Sequence, residues 1–372
     1  MTEDAPRVLA TFLEAVRVDS PSGEEARFGA WCERRLAALG FDVRFDGTGP
    51  ATGSDCGNLI AERPGAADGL TVVLSAHLDT VGPGRGIDPV VGGGVVRSAG
   101  DTILGADDKA GVAAILEALE RAQETGTPTG PVRVLLTTGE ERGLRGAKAL
   151  DRSECRGDVC LVLDAHGPVG GVVTAAPTQY TFSAVFEGVP AHAGVEPERG
   201  ISAIAMAASA IASMRIGRLD EETTANVGEI HGGNATNVIT ASCAIRGECR
   251  SLDPAKVETV RDEMDAAMRD AARRAGGAVR TEWVLEYEGY RLSPDDPMLG
   301  LVEGALRLVG REPSFFSTGG GSDANIFAAR ALPSLVLSCG MTDVHGVEES
   351  VEVSDLVALA DVLALVLKRA VR

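Results

Sequence analysis

Three apolar segments of this sequence end in side chains that can bind a metal ion or move a proton. Residues 70–76, 132–138 and 161–163 are rich in Val and Leu, a pattern typical of strands buried on both faces of a sheet. Burial of the strands does not explain the charged side chains that follow them. The residues at these three ends are His77 and Asp79, Glu140 and Glu141, and Asp164.

The spacing of these residues favours one shared site. His77 and Asp79 are two positions apart, so on an extended chain they project to the same side. The Asp79 carboxylate can then accept the second ring proton of a metal-binding imidazole. Adjacent Glu140 and Glu141 repel each other unless a cation is near. Each motif alone also fits a loop cap, but sheets of this kind place their sites beyond the strand ends, and the pattern recurs at three strands.

A fourth group of candidates begins a predicted helix. Asp107 and Asp108 precede apolar residues at 112, 115, 116 and 119. Acidic residues are common at helix starts, and capping explains one Asp better than two. We therefore predict that Asp108 caps this helix and that Lys109 pairs with a carboxylate.

Local signals predict several other elements. Ser22 is the predicted N-cap of a helix over residues 25–39, because Glu25 follows three positions later. Residues 83–94 are rich in Gly and Pro and are predicted to be loop. His345 lies in a predicted loop over residues 339–347, and residues 317–325 form a Gly-rich loop.

Composition limits the class of protein. A chain of 372 residues predicts two domains, and its net charge of −19 argues against a nucleic-acid partner. Its seven Cys are odd in number and form no Cys-x-x-Cys pair, which predicts reduced thiols in a cytoplasmic protein. The N-terminal segment, residues 1–18, is acidic and amphipathic, unlike a signal peptide, and no apolar stretch is long enough to cross a bilayer.

The order of predicted elements indicates an insertion. Residues 177–289 read as β-α-β-β-α-β, the order of a ferredoxin-like unit. Strands and helices of the first type resume after it. We therefore predict an α/β fold with a catalytic domain of residues 1–176 and 290–372, interrupted by a smaller α+β domain of residues 177–289.

These motifs together resemble the co-catalytic zinc peptidases, a superfamily of aminopeptidases, carboxypeptidases and aminoacylases. The strings GADDKAGVAAI, TTGEERGLRGAK, GGGSDANIF and VHGVEESV are most similar to peptidase T-like proteins. The resemblance implies a catalytic domain with a mixed central sheet and an inserted lid domain that forms a homodimer. It also implies two divalent metal ions, with Zn²⁺ expected first and Co²⁺ or Mn²⁺ as alternatives. Carried onto this sequence, His77 and Asp164 hold one ion, Glu141 and His345 hold the other, and Asp107 bridges them.

The resemblance also implies roles for residues that do not bind metal. Glu140 is the expected general base and Asp79 orients His77. In relatives, a lid histidine at the position of His192 reaches the partner subunit's site and stabilises an oxyanion; a turn residue is the alternative. The remaining residues expected to contact substrate are Asn237, Arg250, Gly320 and Ser322.

Several of these positions have plainer interpretations. Arg250 fits a peptide carboxylate or a solvated charge at a strand end equally well. The loop with Gly320 and Ser322 either offers backbone N–H groups or is only a turn. His166 and His231 are predicted to be surface or structural residues.

The expected substrate follows from the resemblance alone. In this superfamily an Asp at the position of Asp164 is associated with aminopeptidases and dipeptidases, and a Glu with carboxypeptidases and deacylases. The sequence therefore predicts hydrolysis of small peptides, such as di- or tripeptides. The alternatives are an N-acyl amino acid deacylase or a carboxypeptidase, a non-catalytic relative, and a structural metal protein. Three donors for each metal leave open positions, which favours catalysis over a closed structural site.

Overall fold

The computed structural model describes residues 6–371, which divide into two compact units. Residues 1–5, the start of the acidic N-terminal segment, and residue 372 lie outside the described residues. The first unit holds the chain up to Thr174, Arg291–Ser317 and the chain from Ser322 onwards. The second holds Ala175–Tyr290 and Thr318–Gly321. The expected catalytic and lid roles of residues 1–176 with 290–372 and of residues 177–289 stay predictions.

The regular elements are numbered in chain order. Within residues 6–371 the helices α1 to α10 are Arg7–Val16, Ala26–Ala38, Gly49–Thr52, Ala106–Glu124, Arg145–Ala149, Ala203–Ser213, Pro254–Ala275, Pro297–Leu308, Asp323–Ala329 and Val353–Arg369. The strands β1 to β20 of the same residues are Asp42–Phe45, Leu59–Arg63, Val72–His77, Pro89–Gly92, Val95–Ser98, Val132–Thr137, Val159–Ala165, Gly171–Ala176, Thr178–Glu187, Ala191–His192, Gly217–Arg218, Thr223–Gly232, Val238–Ile239, Ser242–Ser251, Ala278–Tyr287, Tyr290–Arg291, Ser314–Ser317, Ser334–Ser338, Met341–Thr342 and Ser350–Glu352.

A large mixed sheet organises the first unit. In the described residues its strand order is β1-β2-β6-β3-β7-β18-β8-β16, with β17 beside β8. Strands β6, β3, β7 and β18 run parallel, whereas β2 is antiparallel to β6 and β8 is antiparallel to β18. Every residue of β3, β6 and β18 is buried, as the continuous apolar segments predict. The carboxyl ends of the parallel strands therefore meet at one rim.

Long helices complete the core of the first unit. Helix α4 contacts α1 and α10 and packs on β3 and β7. Its buried residues include Val112, Ile115, Leu116 and Leu119, the apolar positions that predict it. These contacts fix the start of α4 beside the rim of the sheet.

A small second sheet corrects the loop prediction for residues 83–94. Strand β4 lies inside that segment and pairs antiparallel with β5 in a sheet of order β19-β20-β5-β4. Gly93 and Gly94 join the two strands with φ of 61° and 83°. Two consecutive positive φ values are the requirement of a tight hairpin turn, so this Gly-rich segment is a strand followed by a turn. Met341–Thr342 likewise forms β19 within the predicted loop of residues 339–347.

The second unit is an antiparallel sheet with helices on one face. Its long strands follow the order β12-β14-β9-β15, with α6 between β9 and β12 and α7 between β14 and β15. This is the β-α-β-β-α-β arrangement that the sequence predicts. Its core joins Phe182 and Phe186 of the sheet to Met206, Val257 and Met264 of the two helices.

Two further observations concern the described residues as a whole. No helix between residues 6 and 371 combines the length and the apolar character that a membrane crossing needs. All seven Cys are free thiols, and only Cys56 among them is not buried.

Candidate metal centre

Five metal-binding side chains meet at the rim of the main sheet in two groups that share one carboxylate. Asp107 Oδ1 lies 3.0 Å from His77 Nε2, and Asp107 Oδ2 lies 3.2 Å from His345 Nε2. Asp164 Oδ1 is 3.7 Å from His77 Nε2, and Glu141 Oε1 is 2.9 Å from His345 Nε2. The structure thus brings together all five predicted donors, as His77–Asp107–Asp164 and Asp107–Glu141–His345.

The electrostatics of this cluster fit a bound cation. The side chains of Asp107, Glu141 and Asp164 are only 12%, 8% and 11% exposed. Within residues 6–371, no Lys or Arg forms an ion pair with them or with Glu140. Burial, followed by the charge of Asp107, raises the pKa of Asp164 well above its usual range. A carboxylate set with so little compensating charge fits divalent metal ions, for which imidazole and carboxylate are ordinary donors.

Protonation of the two histidines would supply part of this compensating charge. Hydrogen bonds to Asp107 and then to Glu141 raise the pKa of His345 to about 10. Burial opposes protonation of His77, but its contacts with Asp107 and Asp79 raise its pKa above the usual value. A metal ion would take the place of these protons, because a histidine ligand must be neutral at the coordinating nitrogen.

Asp107 is placed by a residue that the sequence analysis did not identify. Glu349 is buried, and its two oxygens accept the N–H groups of Gly105 at 2.7 Å and of Asp107 at 3.0 Å. The backbone at Asp107 and Asp108 is not helical, so the regular part of α4 begins after them. The string VHGVEESV contains Glu349, but no local rule connects it with a segment more than 200 residues earlier.

The predictions for Asp108 and Lys109 are wrong. Asp108 is buried and accepts the backbone N–H of His77 at 3.2 Å, so it supports the metal-site strand and does not cap a helix. Lys109 is buried and donates from Nζ to the Val18 carbonyl at 2.6 Å, with Nζ 4.7 Å from the centre of the Phe28 ring. It forms no carboxylate pair among the described residues, and burial lowers its pKa to about 7.

Helix α4 reaches the sheet closely because residue 111 is glycine. An added Cβ at Gly111 would lie 2.8 Å from both the Cβ and the carbonyl oxygen of Leu163 on β7, and closer still to the carboxylate of Asp108. Real Cβ atoms do not approach these groups so closely. Gly111 therefore sets the distance between the helix that follows Asp107 and the strand that carries Asp164.

Asp79 supports the site in a different way from the expected one. The Nδ1 atom of His77 lies 2.8 Å from the Asp79 main-chain carbonyl and 3.5 Å from its carboxylate. The carboxylate instead accepts the backbone N–H groups of Glu140 at 2.9 Å and Glu141 at 3.3 Å. It also accepts the Ser22 hydroxyl at 2.6 Å, so Ser22 is not a helix N-cap. Asp79 thus joins His77 to the turn that carries both glutamates.

Glu140 lies beside the cluster without being one of the five donors. Its carboxylate, together with donor atoms of His77 and Glu141, falls in a group whose members are within 4.8 Å of one another. Burial and then the charge of Asp164 raise the pKa of Glu140 well above its usual value. A carboxylate with a raised pKa beside a metal site can accept and return a proton.

A second acid behind the site was also not predicted. Asp323 is 2% exposed and accepts the hydroxyl of Thr137, the last residue of β6. Its other oxygen has no hydrogen-bond partner among the described residues, and burial raises its pKa to about 6. The string GGGSDANIF includes this residue, but its Gly-rich pattern points to the backbone of the loop and not to this side chain.

The residues expected to contact substrate are described within their own units. His192 is exposed on β10, which pairs with β13, and the Asn237 carbonyl accepts the N–H of Ala193 at 3.0 Å. Gly320 donates its N–H to Thr318 Oγ1 at 3.2 Å. Ser322, in the first unit, is buried at the start of α9, where its N–H donates to Asn325 Oδ1 at 3.1 Å. Their substrate roles stay predictions, whereas His166 and His231 lie exposed.

Arg250 is already paired in this structure. Its Nε and Nη2 atoms donate to the two carboxylate oxygens of Glu248 at 3.0 and 2.8 Å, and Nη1 donates to the Gly319 carbonyl at 3.3 Å. This two-pronged contact is the geometry by which Arg recognises carboxylates. Binding of a peptide carboxylate would therefore require Arg250 to give up or share Glu248.

The mixed sheet and the donor cluster define a metallopeptidase. Residues 73–369 match Peptidase family M20/M25/M40, and the chain belongs to this family. The match confirms the predicted fold class and the resemblance to the zinc peptidase superfamily.

The proteins to which this chain is similar include peptidase T-like enzymes. The chain is 41% identical over 366 residues to the "Uncharacterized protein YqjE" of Bacillus subtilis (strain 168), covering 98% of this chain and 99% of that protein. Among solved structures, it resembles the aminopeptidase PepT from Bacillus cereus ATCC 10987, with 40% identity, a TM-score of 0.92 and 98% of each chain covered. A tripeptidase from Staphylococcus aureus is 35% identical, with a TM-score of 0.94 and the same coverage. These matches confirm that the chain is peptidase T-like.

Proposed function

We propose that this protein is a metal-dependent aminopeptidase that hydrolyses small peptides, such as di- and tripeptides, in the cytoplasm. The observation that carries the proposal is the position of Asp107, whose two oxygens face two separate donor groups with Glu140 beside them. The similarity to a solved aminopeptidase and a solved tripeptidase supports the substrate class. Asp164 supports it as well, since the resemblance associates Asp at this position with free peptide N-termini.

The five donors would hold two divalent ions, with Zn²⁺ expected and Co²⁺ or Mn²⁺ as alternatives. His77 and Asp164 would bind one, Glu141 and His345 the other, and Asp107 both. When bound, such ions supply Lewis-acid activation of the attacking water and of the scissile carbonyl. Asp79 and Asp108 hold the backbone of the residues that carry these donors.

Glu140 is the proposed general base. It takes the proton of the attacking water and delivers it to the nitrogen of the leaving amine. Its carboxylate lies within 4.8 Å of donor atoms of His77 and Glu141, so it is close enough to reach a water molecule at the metal site. In this assignment Glu141 would bind metal and Glu140 would transfer the proton.

The second unit would contribute substrate contacts and form the homodimer. Asn237, Arg250 and Gly320 of this unit, together with Ser322 of the first unit, are the proposed substrate contacts. The outer side of β12 beyond Ala225 has no strand partner among the described residues, since β11 pairs only with Thr224 and Ala225. Ile230 on this edge is 50% exposed, and Ile204 on α6 is 39% exposed. A second copy pairing along this edge would cover both.

A substrate panel tests the proposed activity. Purified protein is incubated with Ala-Ala, Ala-Ala-Ala, an N-acetyl amino acid and an N-blocked tripeptide, with metal or with chelator. We expect cleavage of the unblocked peptides, its loss on chelation and its return with Zn²⁺, Co²⁺ or Mn²⁺. Cleavage of only the acylated or blocked compounds would favour the deacylase or carboxypeptidase alternative, and activity in chelator would contradict the metal-dependent mechanism.

Hybrid dimers test the role of His192. Protomers with His192→Ala and protomers with Glu140→Ala are each expected to be inactive alone. If His192 acts in the partner's site, mixing them under subunit exchange restores about a quarter of the activity, because a random hybrid population holds one intact site in half of the dimers. Failure to recover activity in demonstrably mixed dimers would contradict the role of His192 in the partner's site.

A further inference from the structure

Three consecutive backbone N–H groups of the turn with the two glutamates are held by buried carboxylates. Gly139 donates to Glu25 Oε1 at 3.2 Å, while Glu140 and Glu141 donate to the two oxygens of Asp79 at 2.9 and 3.3 Å. Successive N–H groups of this kind form a concavity that binds anions. Here both anions are side chains of the protein, and only Asp79 belongs to a motif that points to metal binding.

Glu25 connects this turn to two other segments. Its side chain is fully buried, and Oε1 also accepts the N–H of Gly23 at 2.9 Å. Its other oxygen accepts the Ser54 hydroxyl at 2.6 Å, and that hydroxyl accepts the Cys56 N–H at 3.2 Å. Burial raises the pKa of Glu25, and the hydrogen bonds from Gly23 and Ser54 oppose that shift. A buried carboxyl group is costly unless hydrogen bonds satisfy it, as they do here.

The contact with Gly139 fixes the direction in which the chain leaves β6. Gly139 has a φ of 61°, a left-handed conformation, and the next two residues carry the proposed base and a proposed metal ligand. Without the acceptor at Glu25, the buried N–H of Gly139 would lose its hydrogen bond. The turn would then relax, and both glutamate side chains would shift at the rim of the sheet.

We propose that Glu25 is a positioning residue, which acts through Gly139 to hold Glu140 and Glu141 in their working orientations. The inference rests on the proposed function, in which Glu140 is the base and Glu141 a ligand. Glu25 is too deeply buried to touch a peptide, so its loss should lower kcat and metal affinity while leaving KM nearly unchanged. Residues that support a metal site in this way typically contribute about 10- to 100-fold.

The test compares three variants of the metal-loaded enzyme. Glu25→Ala removes the acceptor, and we expect kcat to fall by about 10- to 100-fold, with Zn²⁺ affinity reduced about tenfold in calorimetric titration. Glu25→Gln keeps an oxygen for Gly23 and Gly139 and can donate to Ser54, so it should retain at least about a third of the wild-type kcat. Glu24→Ala is the matched control, because Glu24 is 58% exposed and its carboxylate accepts a hydrogen bond from exposed Arg85, and it should behave as wild type.

The outcomes separate this inference from the proposed function. A wild-type protein that hydrolyses no unblocked peptide would overturn the function itself. An active wild type with an equally active Glu25→Ala variant, or with a loss confined to KM, would overturn the positioning role. Equal losses in Glu25→Ala and Glu25→Gln would also overturn it, since the Gln retains the acceptor. If Glu25→Ala does not fold, Ser54→Ala removes the hydrogen bond that holds the other oxygen of Glu25, and an unchanged kcat and Zn²⁺ affinity would then count against the inference.

Discussion

Gly111→Ala is expected to destabilise the protein, because residue 111 packs closely against β7. Helix propensity alone predicts the opposite effect on stability. Replacing a helical Gly by Ala normally stabilises a protein by about 0.5–1 kcal/mol, because Gly loses more conformational freedom on folding. At Gly111 the added Cβ would lie 2.8 Å from the Cβ and the carbonyl oxygen of Leu163. Leu163 is fully buried within β7, so neither the carbonyl nor the Cβ can swing away as a flexible side-chain end would.

The expected magnitude follows from these two opposing effects. Overpacking a rigid core site costs about 1–3 kcal/mol, and the fixed position of Leu163 in β7 favours the upper end. Subtracting a propensity gain of about 1 kcal/mol leaves Gly111→Ala destabilised by about 2 kcal/mol. This corresponds to a melting temperature lower by about 4–8 °C for a unit of this size.

A control in the same protein isolates the packing. Gly300 lies in helix α8, is exposed, and has no atom within 4 Å of an added Cβ. Gly300→Ala should therefore raise the melting temperature by about 1–4 °C, following from a gain of about 0.5–1 kcal/mol. Both variants are measured by circular dichroism in excess chelator, so that metal binding does not contribute.

The same clash has a functional consequence. Moving α4 outward separates Asp107 from Asp164, so Gly111→Ala should lower kcat/KM of the metal-loaded enzyme at least about tenfold, as a small misplacement in an active site does. Gly300→Ala should keep wild-type activity. A Gly111→Ala protein that is as stable and active as Gly300→Ala would refute the argument that residue 111 sets the distance between α4 and β7.

Two other perturbations test separate parts of the site. Glu140→Ala should keep both metal ions by elemental analysis but lose turnover by at least about 100-fold, the typical contribution of a general base; undiminished hydrolysis would remove Glu140 from that role. Asp323→Asn tests the raised pKa of about 6 for that residue. Native Asp323 keeps its proton up to about pH 6 while the unfolded chain releases it near pH 4, so the wild type should lose stability relative to Asp323→Asn as the pH rises through this window, by about 3 kcal/mol. Urea unfolding in chelator from pH 4 to 7 measures the difference, and a constant difference would show that Asp323 titrates normally.

The sequence predicts the part of this site that local patterns encode. Continuous apolar runs identify the buried strands, and the polar side chains directly after them identify His77 and Asp164. The resemblance to a family adds His345, which lies far along the chain and has no periodic signal of its own. His77 and Asp164 stand out because a polar side chain is unusual directly after a buried apolar strand.

The supporting residues could not be predicted, because their partners are distant in sequence. From the sequence, Ser22 and Asp108 look like helix caps. In the structure the Ser22 hydroxyl donates to the Asp79 carboxylate, and the Asp108 carboxylate accepts the backbone N–H of His77, so neither side chain caps a helix. Glu349 holds the loop of Asp107 across more than 200 residues. Only the fold reveals such contacts, since any buried N–H that the sheet leaves unpaired must find an acceptor somewhere.

The central claim is that Asp107 is shared by two metal ions, one held with His77 and Asp164 and the other with Glu141 and His345. X-ray diffraction from crystals of the Zn²⁺-loaded protein, recorded above and below the zinc absorption edge, tests it directly. We expect two anomalous peaks on either side of the Asp107 carboxylate, each in contact with its own His. A single peak, or two peaks of which one does not touch Asp107, would contradict it.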